Sequence, residues 1–192
     1  AKHGATLGVT ALTSWQRSAL TENVDTISAM AGKPDVVLLL GGINDLSPGF
    51  DAPATVFGNW TNVVSRLVKN LPDTKIVVTT TLHAGPGRTD SLNTNADNFN
   101  TLIKSYINDM PAAWSGHVYF VDLCDAVKSA ETGVISSDNL HPDWLGDDQM
   151  AEGWLSVITN LYPSADGVFP SSTPLPSVSE GELGAAAQSE RA

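Results

Sequence analysis

The chain has 192 residues and a mass of 20.2 kDa, which suits one ordinary domain. Lys+Arg is 10 against Asp+Glu 21, a formal charge of −11, and no basic run interrupts the acidity; nucleic acid and anionic membrane are therefore excluded as expected partners. The hydrophobic fraction of 42% supports a packed core, but the longest strongly apolar run, Val36 to Leu40, is far below the roughly 20 residues a membrane span needs.

In chain order, an early helix is expected over about Ser18 to Met30. Asp35-Val36-Val37-Leu38-Leu39-Leu40-Gly41-Gly42 follows, entered through Pro34 and left through glycines. A continuous apolar run of this kind reads as a strand covered on both faces. Trp60, Val63, Val64, Leu67, Val68 and Leu71 repeat at helical spacing. Lys75–Thr81 is rich in β-branched residues and reads as a second strand. Phe99, Leu102, Ile103, Tyr106, Ile107 and Met110 form another helical stripe, His117–Asp122 a third strand, and Met150, Ala151, Trp154, Leu155, Ile158 and Leu161 a last helix. Strands alternating with helices predict a parallel α/β sheet with right-handed crossovers. Residues 163–192 are rich in Pro, Ser, Ala and Gly without apolar periodicity; the expected division is a domain over 1–162 and a linker or disordered tail over 163–192.

On such sheets, chemistry gathers beyond the carboxyl ends of the strands. The first strand ends in Gly41-Gly42-Ile43-Asn44-Asp45. The glycines permit a sharp turn and close approach to a ligand, and Asn44 brings an amide donor to the rim; a simple turn or cap is the competing reading. Before the last helix stands Ser137-Asp138-Asn139-Leu140-His141-Pro142. A carboxylate three residues before an imidazole in a tight loop can reach Nδ1–H, fix the tautomer and stabilise the imidazolium while Nε2 acts as base. A surface histidine beside a capping aspartate is the competing reading. His3, His83, His117 and His141 show no metal-ligand spacing, so no metal and no cofactor are expected. His83 and His117 read as structural, although His83, just past a strand end, could line the cleft. Asp45 reads as a loop stabiliser. The single Cys124 allows no intrachain disulfide, and the sequon Asn59-Trp60-Thr61 permits glycosylation on a secreted chain.

Gly-x-Asn-Asp after an apolar strand, together with Asp-x-x-His-Pro before the last helix, resembles the SGNH (GDSL) hydrolases. These are esterases and lipases on a flavodoxin-like, three-layer αβα fold. The resemblance covers about Lys2 to Tyr162. It implies His141 as base, Asp138 as its orienting acid and Asn44 as an oxyanion-hole donor. His3-Gly4-Ala5-Thr6 is similar to the block that supplies a further oxyanion donor, which makes Gly4 the candidate and Gly8 a weaker alternative. Asp138–Asp143 followed by Met150-Ala151 and Trp154 looks most like the acetylxylan-esterase type of carbohydrate esterase. The implied substrates are sugar acetyl esters first, and short acyl esters or thioesters second. The Ser/Pro-rich tail fits an extracellular, secreted enzyme.

The family's Gly-Asp-Ser nucleophile block is missing from these 192 residues, as is any G-x-S-x-G elbow. Leu7-Gly8-Val9-Thr10 imitates the block but leaves too little chain before Asn44. The expectation is a chain that starts before the second block, with the first strand absent and the Val36–Leu40 strand exposing an apolar edge. An upstream segment or partner chain would complete the sheet. The alternative is a non-catalytic, sugar-binding relative that keeps the cleft without the nucleophile.

Overall fold

A computed structural model describes residues 33–163 except Thr89, together with Ala5, Thr6, Ser18, Ala19, Val24 and Ala29. The short strands β1 (Ala5–Thr6) and β2 (Ser18–Ala19) pair in parallel. The expected helix over Ser18 to Met30 therefore needs correction at its start. Ser18 and Ala19 are committed to backbone pairing with Ala5 and Thr6, which overrides local helical preference, whereas Val24 and Ala29 are helical.

The main sheet has three parallel strands in the order β3-β4-β5: β3 Val36–Leu39, β4 Lys75–Thr79 and β5 Val118–Val121. Between them run α1 (Pro53–Asn70) and α2 (Asp90–Asn108). A 3-10 turn (Ala112–Trp114) precedes β5, and the short α3 (Leu123–Ala126) and then α4 (Trp144–Leu161) follow it. Helix α1 starts at Pro53, whose fixed φ and missing N–H suit the first helical position. Contacts group residues 1–158 as one unit and 159–192 as another.

β4 shows why its sequence is continuously apolar. Ile76, Val77 and Val78 are all fully buried, but only Ile76 and Val78 join the cluster built by α1 and α2; Val77 faces the opposite side. That cluster holds Val56, Trp60, Val63, Val64 and Leu67 of α1 with Leu92, Ala96, Phe99 and Ile103 of α2. Trp60 is its aromatic centre. It stacks on Phe57 at 5.8 Å and meets Tyr106 and Trp114 edge-on at 6.4 and 6.1 Å. On the opposite side α4 approaches through Gly153, where a Cβ would stand 2.6 Å from Leu123 Cδ2. The apolar stripe expected there is shallow: Leu155 is 48% exposed and Ala151 is exposed too. Among the described residues β3 pairs only with β4, and its Leu38 is 46% exposed.

Candidate active site

β3 delivers the first candidate. Its chain leaves through Gly42, at φ +110°, a backbone conformation that a side chain opposes. The Gly42 carbonyl then accepts from the N–H groups of Asp45 (3.0 Å) and Leu46 (3.1 Å), closing a turn that lifts Asn44 to the rim. Asn95 of α2 donates to the Leu46 carbonyl at 3.0 Å and pins this turn to the helix. Asp45 is buried, consistent with a loop-stabilising rather than a reacting carboxylate. Asn44 is half-buried, and among the described residues its side-chain amide makes no hydrogen bond.

The second candidate is a hairpin stapled at its base. Ile135 and Pro142 form an antiparallel bridge, the Ser136 N–H donates to the His141 carbonyl (2.8 Å), and the Asp143 N–H donates to the Val134 carbonyl (2.9 Å). Gly146 lets α4 start against this base, since a Cβ there would lie 2.2 Å from the Val134 carbonyl oxygen. Inside the hairpin, Asp138 uses its two oxygens differently. Oδ1 accepts from the Ser136 hydroxyl (2.7 Å), the Leu140 N–H (2.8 Å) and the His141 N–H (3.0 Å). Oδ2 is left for His141 Nδ1, at 2.5 Å. The carboxyl is held well below the usual carboxylate range, first by the His141 side chain, then by the His141 N–H and the Ser136 hydroxyl. Asp138 is thus an ionised acceptor at neutral pH. His141 presents Nε2 on the far side of its ring, with 61% of the side chain exposed. An oriented, solvent-reachable imidazole backed by a fixed carboxylate can take and return a proton.

The structure brings Asp138 and His141 into direct contact, and no hydrogen bond joins Asn44 to either among the described residues. Gly4 and its alternative Gly8 lie outside the described residues. His83 does line a cleft, of about 340 Å³, with Pro86, Asn93, Cys124, Lys128 and Ser129; neither Asn44 nor the Asp138–His141 pair borders it. His83 Nε2 meets Asp97 Oδ1 at 2.7 Å. Burial first, then the charges of Asp122 and Asp97, push the Cys124 thiol up to about 11, which disfavours its thiolate at neutral pH. Asp122 itself is drawn upward by burial but held below its ordinary value by Lys104, Thr80 and the Asp125 N–H.

The sequence reading missed what fixes the neighbouring loop. On α2, Asn100 accepts from the Thr81 N–H (2.8 Å) and donates to the Thr81 carbonyl (2.9 Å). Asn93 does the same with Ala84, at 2.8 and 3.1 Å. Two amides thus pair with the chain beyond β4 as a neighbouring strand would. The available signal was Asn100 breaking the apolar stripe of Leu92, Ala96, Phe99 and Ile103. Ser136 was missed as well, because nothing in its spacing announces a bond to Asp138.

The sequence model of the GDSL-like lipase/acylhydrolase family matches residues 2–167. No curated protein matches the chain. Among solved structures, the chain is similar to a mutant acetyl esterase crystallised with acetate ion. There the identity is 20% and the TM-score 0.56, over 68% of this chain and 59% of that one, so the match spans less than two thirds of that protein. It is also similar to a family 3 carbohydrate esterase from Talaromyces cellulolyticus (19% identity, TM-score 0.59, 77% and 71% covered). A family 3 carbohydrate esterase from Clostridium thermocellum matches at 21% identity and TM-score 0.57, with 83% and 68% covered. At these identities the likeness is one of fold: the parallel sheet with flanking helices is the α/β arrangement of the SGNH hydrolases.

Proposed function

The chain belongs to the GDSL-like lipase/acylhydrolase family, a family of ester hydrolases, and from that premise we propose that it serves the deacetylation of carbohydrate esters by a Ser-His-Asp mechanism. The observation that carries the reading is the Asp138–His141 pair, with one carboxylate oxygen tied down by three donors and the other at 2.5 Å from Nδ1. His141 Nε2 takes the proton of a serine hydroxyl, whose oxygen attacks the acetyl carbonyl. The oxyanion accepts a hydrogen bond from the Asn44 amide and, in this reading, from the Gly4 N–H. The same proton then passes from His141 to the departing sugar oxygen, and water repeats the sequence to release acetate and restore the serine. The carbohydrate esterases among the structural neighbours support a carbohydrate ester as substrate. The Pro- and Ser-rich composition of 163–192 supports a place outside the cell.

No Gly-Asp-Ser occurs in the 192 residues. The reading therefore draws its nucleophile from outside them, from a preceding segment or a partner chain that also completes the sheet beside β3. The same observation favours a second reading, a sugar-binding relative without turnover. Acetate release from acetylated xylo-oligosaccharides decides between them, measured on the 192-residue chain and on any longer product of the same gene. The esterase reading expects release by a serine-bearing form and a loss of about 10⁴-fold in His141→Ala. Oligosaccharide binding without acetate release by every form would establish the second reading instead.

A further inference from the structure

We propose that Asn139 is a positioning residue, a clamp that locks the tip of the Asp138–His141 hairpin onto the Gly85–Gly87 loop. The inference rests on the esterase reading for its consequence and on geometry alone for its existence. Asn139 has φ 59° and is the one described residue other than glycine with positive φ. Asparagine enters this region more readily than most residues, but the conformation still needs support from its surroundings.

That support comes from across the sheet end. The Asn139 carbonyl accepts from the Gly85 N–H at 3.0 Å, and its side-chain Oδ1 accepts from the Gly87 N–H at 3.2 Å. The fit is tight opposite Gly85 and closed to a side chain opposite Gly87 unless Asn139 shifts. A Cβ on Gly87 would stand 2.3 Å from Asn139 Nδ2, and one on Gly85 would stand 3.2 Å from Oδ1. The gripping loop is itself anchored, because Asn93 and Asn100 hold Ala84 and Thr81 by paired hydrogen bonds.

The base of the hairpin is closed without Asn139, through the bonds at Ser136 and Asp143. What Asn139 adds is a tie between the tip and the β4 loop, one residue from Asp138. Internal bonds fix the carboxylate relative to the hairpin, and the clamp fixes the hairpin relative to the sheet that carries Asn44. A misplacement of about 1 Å between groups that act on one reacting centre can cost about a hundredfold in rate.

The test uses two variants that attack the contact from opposite sides. Asn139→Gly keeps positive φ accessible and removes the amide; Gly87→Ala drives a methyl into that amide. In the 192-residue chain, hydrogen exchange of the Gly85 amide, which donates to the Asn139 carbonyl, is followed by NMR as the signal of the docked tip. Both variants should speed its exchange in chains that keep the wild-type amide spectrum elsewhere, and the double variant should add little to either. In a serine-bearing form, kcat for an acetyl ester should fall by about ten- to a hundredfold with KM unchanged. An unchanged signal in Asn139→Gly overturns the clamp, whether or not Gly87→Ala folds. A signal that responds, together with hydrolysis that survives His141→Ala, leaves the clamp standing and overturns the esterase reading instead.

Discussion

Asp138 meets the His141 ring with one carboxylate oxygen only, 2.5 Å from Nδ1, because the other oxygen is occupied by Ser136, Leu140 and the His141 backbone. This division fixes the plane of the carboxylate and the tautomer of the imidazole together. Replacing Asp138 with Asn keeps the shape but removes the charge that stabilises the imidazolium. In a serine-bearing form, Asp138→Asn should lower kcat for acetyl esters by about 10³–10⁴-fold with little change in KM. Steady-state kinetics on a chromogenic acetate ester checks this.

The same pair sets an acid limit. The Asp138 carboxyl is depressed in the folded chain, so its contribution to stability is complete above its unfolded value of about 3.9 and is lost as pH falls through the folded value. Asp138 is exposed and water screens it, so the effect is local to the hairpin. Hydrogen exchange of the 135–141 amides should accelerate, after correction for intrinsic rates, as pH drops from about 4 to about 2. Asp138→Asn should already exchange fast at neutral pH and lose this dependence.

Gly42 carries the turn that presents Asn44. Any Cβ at φ +110° is strained, so Gly42→Ala should cost about 1–3 kcal/mol in denaturant unfolding. If the turn relaxes instead, Asn44 moves, and in the proposed mechanism an oxyanion donor is lost, about 10²–10³ in the rate of a serine-bearing form.

Asn100 is 4% exposed and satisfies both backbone groups of Thr81. Asn100→Leu fills the space but strands a buried N–H and a buried carbonyl. The expected loss is about 2–5 kcal/mol, read from the midpoint of urea unfolding at unchanged m-value.

Cys124, with its thiol pushed up to about 11, should be alkylated slowly by iodoacetamide near neutral pH, at a rate that keeps rising with pH beyond the range where an ordinary thiol has levelled off. A half-maximal rate near pH 9, the thiol's ordinary value of 9.0, contradicts this assignment.

The strands at Val36–Leu39, Lys75–Thr79 and Val118–Val121 were legible because double-sided burial leaves no polar alternation to confuse with a helix. Helices α1 and α2 were legible from their stripes, but not their starts, which lie seven and nine residues before Trp60 and Phe99 and are set by Pro53 and by the loop after β4. Ser18–Ala19 was misread because two residues of strand pairing leave no periodic trace. At the site, Asp138 and His141 were legible because three residues of spacing suffice for their contact. Asn139, Gly85 and Gly87 were not, since their contact spans about fifty residues and depends on how the β4 loop is anchored.

A fluorophosphonate labels an activated serine whatever the natural substrate. It should leave the 192-residue chain unlabelled, place one label per molecule on a form that carries the family's serine, and lose that label in His141→Ala. A label that survives His141→Ala would contradict the assignment of His141 as the base.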